Sequence, residues 1–341
     1  MTIVLIILVP AAIAFYLFCK SGYQISTEDQ QLINAITAAE PLEHIRGETG
    51  DVQISDDVSI HYNHMPASSE TKGTVVLING LAQTMLDWPA YMLDGITKAG
   101  YELIRIDNRD VGNSTWIKDW GKGKYYKLSD MASDAIAVMN RLQVDQAHVI
   151  GVSMGGMIAQ TMALDYPNRL LSLSSLLSTG HFYDPELTQV TPAFRMGVAR
   201  ILLKYTLIRS TVNSMKAQLS VYHLLHGDGQ YEVDKRSVLN RAYYEVTKRK
   251  GYNPKASKHH GEAIAKSGSR YDQLGHINIP TLILHGTGDP LIVVEHAHKY
   301  HSLIAHAKKC ILDGMGHDLP EKYQDQIMTA ILDNISITTQ S

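Results

Sequence analysis

The chain has 341 residues, 45% of them hydrophobic and 19% charged, which suits a globular protein with a large core and argues against disorder. A formal net charge of -3 argues against a general nucleic-acid binder. The two cysteines, Cys19 and Cys310, lie far apart without redox or zinc spacing, so no disulfide framework is expected.

The first segment, residues 2–19, is apolar except for Thr2 and Tyr16, and Lys20 closes it. As a helix it would reach about 27 Å, close to the roughly 30 Å hydrocarbon core of a bilayer. No Lys or Arg precedes it and Leu17-Phe18-Cys19 is a poor lipoprotein box. It therefore reads as an uncleaved membrane anchor over residues 1–20, with a signal sequence as the alternative. Ser26-Thr27-Glu28-Asp29 then looks like a helix start, and Pro41 ends the helix within a connecting stretch, 21–50.

From Val52 to Met65 the hydrophobic residues alternate around Asp56-Asp57, the signature of a hairpin. Strands and helices then take turns. Strands are expected at Thr74–Ile78, Tyr101–Ile106, Ala147–Val152 and Leu170–Leu177, with helices at Trp88–Lys98, Ser129–Leu142 and Gly155–Asp165 between them. This rhythm implies a parallel sheet covered by helices on both faces. It breaks between Gly180 and Gln273, where helical patterns such as Pro192–Tyr205 and Ser237–Lys248 occur without a strand. It returns with strand Thr281–Leu284, helix Val293–Leu303, strand Lys309–Leu312 and helix Pro320–Ile335.

Three residues just past expected strands carry the chemistry. Ser153, in Gly151-Val152-Ser153-Met154-Gly155-Gly156, fits a nucleophile elbow between strand and helix, where close neighbours must be small. A serine hydroxyl needs a base and a group to orient it. Asp289, in His285-Gly286-Thr287-Gly288-Asp289-Pro290, and His317, in Gly314-Met315-Gly316-His317-Asp318, follow in the order serine, acid, histidine. Asp313 is the rival acid, Asp318 is read as a helix cap, and His285 is disfavoured as base because it precedes the acid. The Met154 amide at a helix start and the Leu81 amide in Asn79-Gly80-Leu81-Ala82 are the candidate oxyanion donors. Met85 and Trp88, just beyond that loop, are candidate substrate contacts. Asp107-Asn108-Arg109-Asp110 reads as a structural network, and His296, His298, His301 and His306 as a solvated helix and its surroundings with no metal site.

Together these stretches resemble the α/β-hydrolase superfamily over residues 51 to 336, and look like lid-bearing bacterial carboxylesterases related to aclacinomycin methylesterase. The resemblance implies an α/β-hydrolase fold: an eight-stranded, mostly parallel sheet with helices on both faces. Its core would run over 51–179 and 274–341, with a helical cap at 180–273. It implies a serine esterase, with Ser153 as nucleophile, His317 as base and Asp289 as the orienting acid. The expected substrate is a small ester, hydrophobic or lipid-like given the apolar N-terminal segment and the helical lid. An amide or peptide hydrolase and a non-catalytic ligand-binding protein are the alternatives. No cofactor, metal, nucleic acid or protein partner is expected. A bacterial inner membrane, with the side left open, is the expected location.

Overall fold

The computed structural model describes residues 21–227, 229 and 231–339. Eight strands form one sheet in the order β1-β2-β4-β3-β5-β6-β7-β8. They are β1 (Glu48–Ser55), β2 (Val58–Met65), β3 (Thr74–Ile78), β4 (Glu102–Ile106), β5 (Ala147–Val152), β6 (Leu170–Leu176), β7 (Thr281–Gly286) and β8 (Lys308–Leu312). The expected hairpin supplies β1 and β2. Pairings β1–β2 and β2–β4 are antiparallel and every later pairing is parallel. The carboxyl ends of β3 to β8 therefore share one edge, where open sheets of this kind hold their sites.

Every residue of β3, β5 and β7 is buried, as expected of strands covered on both faces. The two-residue period of β3 sorts its side chains between two cores. Val76 and Ile78 meet α3 (Leu128–Arg141) and α4 (Met154–Asp165) through Ala135 and Ile158. Val75 and Leu77 belong to the core that α2 (Ala90–Lys98) and the C-terminal helix Gln324–Ile335 close with Met92 and Ile327.

The chain between β6 and β7 is a helical insertion. It contains α5 (Pro192–Tyr205), α6 (Thr211–His226), α7 (Lys235–Lys248), α8 (Ala256–Ser267) and the short α9 (Tyr271–Leu274). Three of its helices, α6, α8 and α9, have no counterpart in the sequence reading. The N-terminal helix α1 (Thr27–Thr37) starts on Ser26 and Asp29 in a capping box. It does more than connect. Its Ile33 and Ile36 share a core with Met215 and Leu219 of α6 and Val238, Leu239 and Ala242 of α7. Asp29, fully buried, accepts from Tyr23 at 2.5 Å and pairs with Lys235 of α7 at 2.8 Å.

The apolar stretch 2–19, with the anchor expected there, lies outside the described residues. No helix among the described residues is long and apolar enough to cross a membrane.

Candidate functional site

Ser153 stands between β5 and α4 with φ 56° and ψ -121°, a left-handed backbone that a residue other than glycine adopts at a cost. The turn closes because its neighbours carry no side chain. A Cβ at Gly151 would fall on the Gly155 carbonyl, and one at Gly155 on the Ile78 carbonyl. The sharp turn lifts the Ser153 side chain out of the strand direction.

His317 Nε2 lies 3.0 Å from Ser153 Oγ, and His317 Nδ1 lies 2.6 Å from Asp289 Oδ2. The structure thus brings together the three residues expected from sequence order. All three are buried, with 8%, 7% and 5% exposure for Ser153, His317 and Asp289. Asp289 Oδ1 also accepts the Leu291 and Ile292 amides, each at 2.8 Å, so the residue caps its own turn while its other oxygen faces the histidine. Burial by itself would raise the Asp289 carboxyl. His317 and His285 beside it hold it far below the usual carboxylate range.

His285, disfavoured as a base because it precedes the acid in the sequence, has another position in the structure. Its Nε2 donates to the Ile292 carbonyl at 2.7 Å and lies 3.3 Å from Asp289 Oδ2, the same carboxylate oxygen that faces His317. Asp313 does not compete for the histidine, because its Oδ1 accepts from Thr287 Oγ1 at 2.9 Å. The expectation that Asp318 caps a helix is wrong. The turn beginning at Pro320 has no side-chain cap, and Asp318 instead accepts from Tyr231 Oη and faces His226 Nδ1 at 3.6 Å. Both partners come from the insertion.

The loop after β3 runs across Ser153: a Cβ on Gly80 would come within 3.1 Å of the Ser153 Cβ. Its amides are fixed on either side of Leu81. Gly80 N–H donates to Gln83 Oε1 and Ala82 N–H to His260 Nδ1, both at 3.0 Å. Among the described residues neither the Leu81 N–H nor the Met154 N–H has an acceptor. Met154 is the first residue of α4, at the positive end of its dipole. The two expected donors are therefore available beside Ser153. Asn108, part of the stretch read as a structural network, holds the Asn79 carbonyl through its side chain at 3.1 Å, whereas sequence reasoning missed His260, which reaches the loop from α8. No local signal points to His260.

Trp88 shares a core with Val152 and Met315, residues close in sequence to Ser153 and His317. Met85 packs elsewhere, against Leu86 and Tyr244, and its amide donates to Asp107 at 2.9 Å. No described contact puts Met85 against Ser153.

The Asp107–Asp110 stretch is a network that ties the core to the insertion. Asp107 pairs with Arg249, which also reaches Glu245 at 2.7 Å. Asp110 accepts from Tyr126 at 2.7 Å and pairs with His259 at 2.8 Å. Arg109 grips Asp134 through two bonds of 2.6 and 2.7 Å. The insertion also touches the histidine loop itself. His317 N–H donates to the Leu225 carbonyl at 2.9 Å, and Gly316 N–H to Tyr231 Oη at 2.9 Å.

The solvated reading of the four histidines near residue 300 is half right. His298 and His306 are exposed, but His296 is buried with its Nδ1 2.9 Å from Thr179 Oγ1. No group of His, Cys, Asp and Glu among the described residues could hold a metal ion.

A model of the alpha/beta hydrolase fold matches residues 73–322. The rhodomycin D methylesterase of Streptomyces peucetius is 27% identical over 272 residues, covering 75% of this chain and 89% of that protein. Solved structures similar to it include an esterase from Rhodococcus sp. ECU1013, with a TM-score of 0.64 and 20% identity over 84% of this chain and 99% of the other. A structure described as a membrane phospholipase A, a bacterial virulence factor, has a TM-score of 0.60 and 19% identity, and covers 98% of this chain and 97% of its own.

Proposed function

The chain belongs to the alpha/beta hydrolase fold family, and from that premise we propose that it is a serine hydrolase cleaving a carboxylic ester through an acyl-enzyme on Ser153. One observation carries the reading: the hydrogen-bonded line from Ser153 Oγ through His317 to Asp289, set on a left-handed turn at the carboxyl edge of the sheet. His317 Nε2 takes the serine proton as Oγ attacks the ester carbonyl carbon. The oxygen that becomes negative is met by the Leu81 and Met154 amides, typically worth ~2.7–4 kcal/mol per donor in such sites. His317 then passes its proton to the leaving alkoxide, and water releases the acid by the same steps in reverse. Asp289 keeps the imidazole proton on Nδ1 and stabilises the cation that forms.

The substrate we propose is a hydrophobic or lipid-like ester, taken beneath the helical insertion acting as a cap. Three things support it: the apolar surroundings of Trp88, Val152 and Met315 beside the site, the apolar segment 2–19, and the likeness to a methylesterase and a membrane phospholipase A. Residues 2–19 would then hold the enzyme at a bacterial inner membrane.

A fluorophosphonate probe tests the mechanism. The protein should label at Ser153 and the Ser153→Ala variant should not. A panel of ester, thioester and amide substrates tests the chemistry, and chain length within the esters tests the substrate. A preference for amides would make the protein a peptidase-like hydrolase. Turnover of short acetyl esters alone would rule out the lipid-like substrate, and neither labelling nor turnover would leave a ligand-binding protein on this scaffold.

A further inference from the structure

Helix α5 is covered on little of its surface. None of its residues is buried, and Gly197 is seated against Leu224 of α6. Met196, Val198, Leu202 and Leu203 are exposed along it, and Leu207 and Ile208 in the turn that follows are each 74% exposed. Single apolar side chains on a surface mean little, but a run of them on one element marks a contact. The charges on the same stretch are of one sign. Between residues 192 and 210 there are Arg195, Arg200, Lys204 and Arg209 and no Asp or Glu, in a chain whose net charge is -3. The stretch also lies beside the chain that emerges from the apolar segment 2–19. A Cβ at Gly22 would meet the Arg200 side chain at 3.4 Å, and Lys204 Nζ donates to Gln24 Oε1 at 2.9 Å.

We infer that α5 and the turn after it form a surface that lies in the headgroup layer of an anionic lipid bilayer. Leu207 and Ile208 reach the acyl boundary, and Arg195 and Arg209 sit at the lipid phosphates. This deepens the reading of a membrane-held esterase, because it rests on residues 2–19 bringing the same side of the molecule to the bilayer. A second copy of this chain is a poorer occupant. A two-fold contact sets a patch against itself, and would face Arg195 and Arg209 with the same cations.

The test uses the full chain with Cys19→Ser and Cys310→Ser, a nitroxide on Leu207→Cys, and vesicles of phosphatidylcholine with phosphatidylglycerol. A nitroxide on Asn140→Cys, at an exposed position on α3, is the control. Collisions with oxygen and with a water-soluble nickel chelate report depth. We expect the label at 207 to become oxygen-accessible and nickel-protected in vesicles while the label at 140 stays nickel-accessible. Adding Arg195→Glu and Arg209→Glu should reverse most of that change. If the chain floats with the vesicles but the label at 207 stays as nickel-accessible as that at 140, this surface is refuted and the membrane segment stands. If the chain does not float and the label stays in water, both fail. Protection at 207 in detergent alone, with spin–spin broadening between molecules, would assign the surface to a second copy and overturn the lipid contact. Fluorophosphonate labelling of the same samples reads the esterase proposal separately.

Discussion

Replacing Asp289 with Asn should lower kcat/KM for ester hydrolysis by about ten-thousand-fold, or ~5 kcal/mol of transition-state stabilisation. The magnitude follows from which atoms surround the carboxylate. It faces four donors: the amides of Leu291 and Ile292 at 2.8 Å, His317 Nδ1 at 2.6 Å and His285 Nε2 at 3.3 Å. An Asn side chain has one oxygen to offer. Turned toward the histidines, it would press its NH₂ against two buried amide N–H groups, an arrangement with no hydrogen bond for any of them. Turned the other way, it keeps both amide bonds and donates to His317 Nδ1. The imidazole proton then moves to Nε2, which can no longer accept from Ser153 Oγ. The variant is folded but disarmed. Steady-state kinetics on a chromogenic ester, with near-UV circular dichroism as the check on folding, reads the effect. Asp313→Asn is the matched control and should change kcat/KM by less than about twofold, since its carboxylate serves Thr287. A folded Asp289→Asn variant that keeps more than about a tenth of wild-type activity would refute the assignment of Asp289 as the orienting acid.

Gly151→Ala places a methyl on the Gly155 carbonyl, backbone that cannot yield, and should cost about 1–3 kcal/mol or more, read as a lower unfolding temperature with reduced probe labelling. Tyr231→Phe strips the acceptor from the Gly316 N–H, and should cost about 1–3 kcal/mol in stability and lower kcat with KM little changed, measured by denaturant unfolding and kinetics. Burial, aided by Asp107 and opposed by Arg249, pushes the Glu245 carboxyl from 4.5 up to about 8. A raised carboxyl favours the folded state most below its unfolded value, and that contribution declines as pH climbs from about 4.5 to 8, by at most ~1.4 kcal/mol per unit. Glu245→Gln should therefore gain stability relative to wild type as pH rises over that window, and parallel denaturation curves at pH 5 and pH 8 would contradict the assignment.

What could be read in the sequence is what a short stretch dictates alone. The elbow needs small residues within two positions of Ser153, and a buried parallel strand is mostly apolar, as the run Thr74–Ile78 is. Both demands leave a local trace, so the sheet and the order Ser153, Asp289, His317 were accessible. The supports of the site were not, because they join distant parts of the chain. His260 reaches the Ala82 amide from 178 residues away, and Asp318 turns to Tyr231 and not to the helix beside it. Helices α6 and α8 bury polar residues on their inward faces, Ser220 and His226 in one and His259 and His260 in the other, which blurs their periodicity. Helix α1 looked like a connector because its partners, Met215 and Val238, lie some 200 residues downstream.

The bond from the His317 amide to the Leu225 carbonyl makes the seating of the insertion and the readiness of the base two descriptions of one equilibrium. On the proposed mechanism, lifting the end of α6 would release the backbone of the residue that takes the proton, so an opening wide enough to break this bond would idle the enzyme while it lasts. Free-energy linkage works in both directions. Whatever binds more tightly to the armed histidine draws the helix down, and whatever holds the helix down keeps the histidine armed. On the mechanism proposed above, an acyl group attached at Ser153 would act as an allosteric ligand of the insertion, and its release would be the event that lets the insertion loosen.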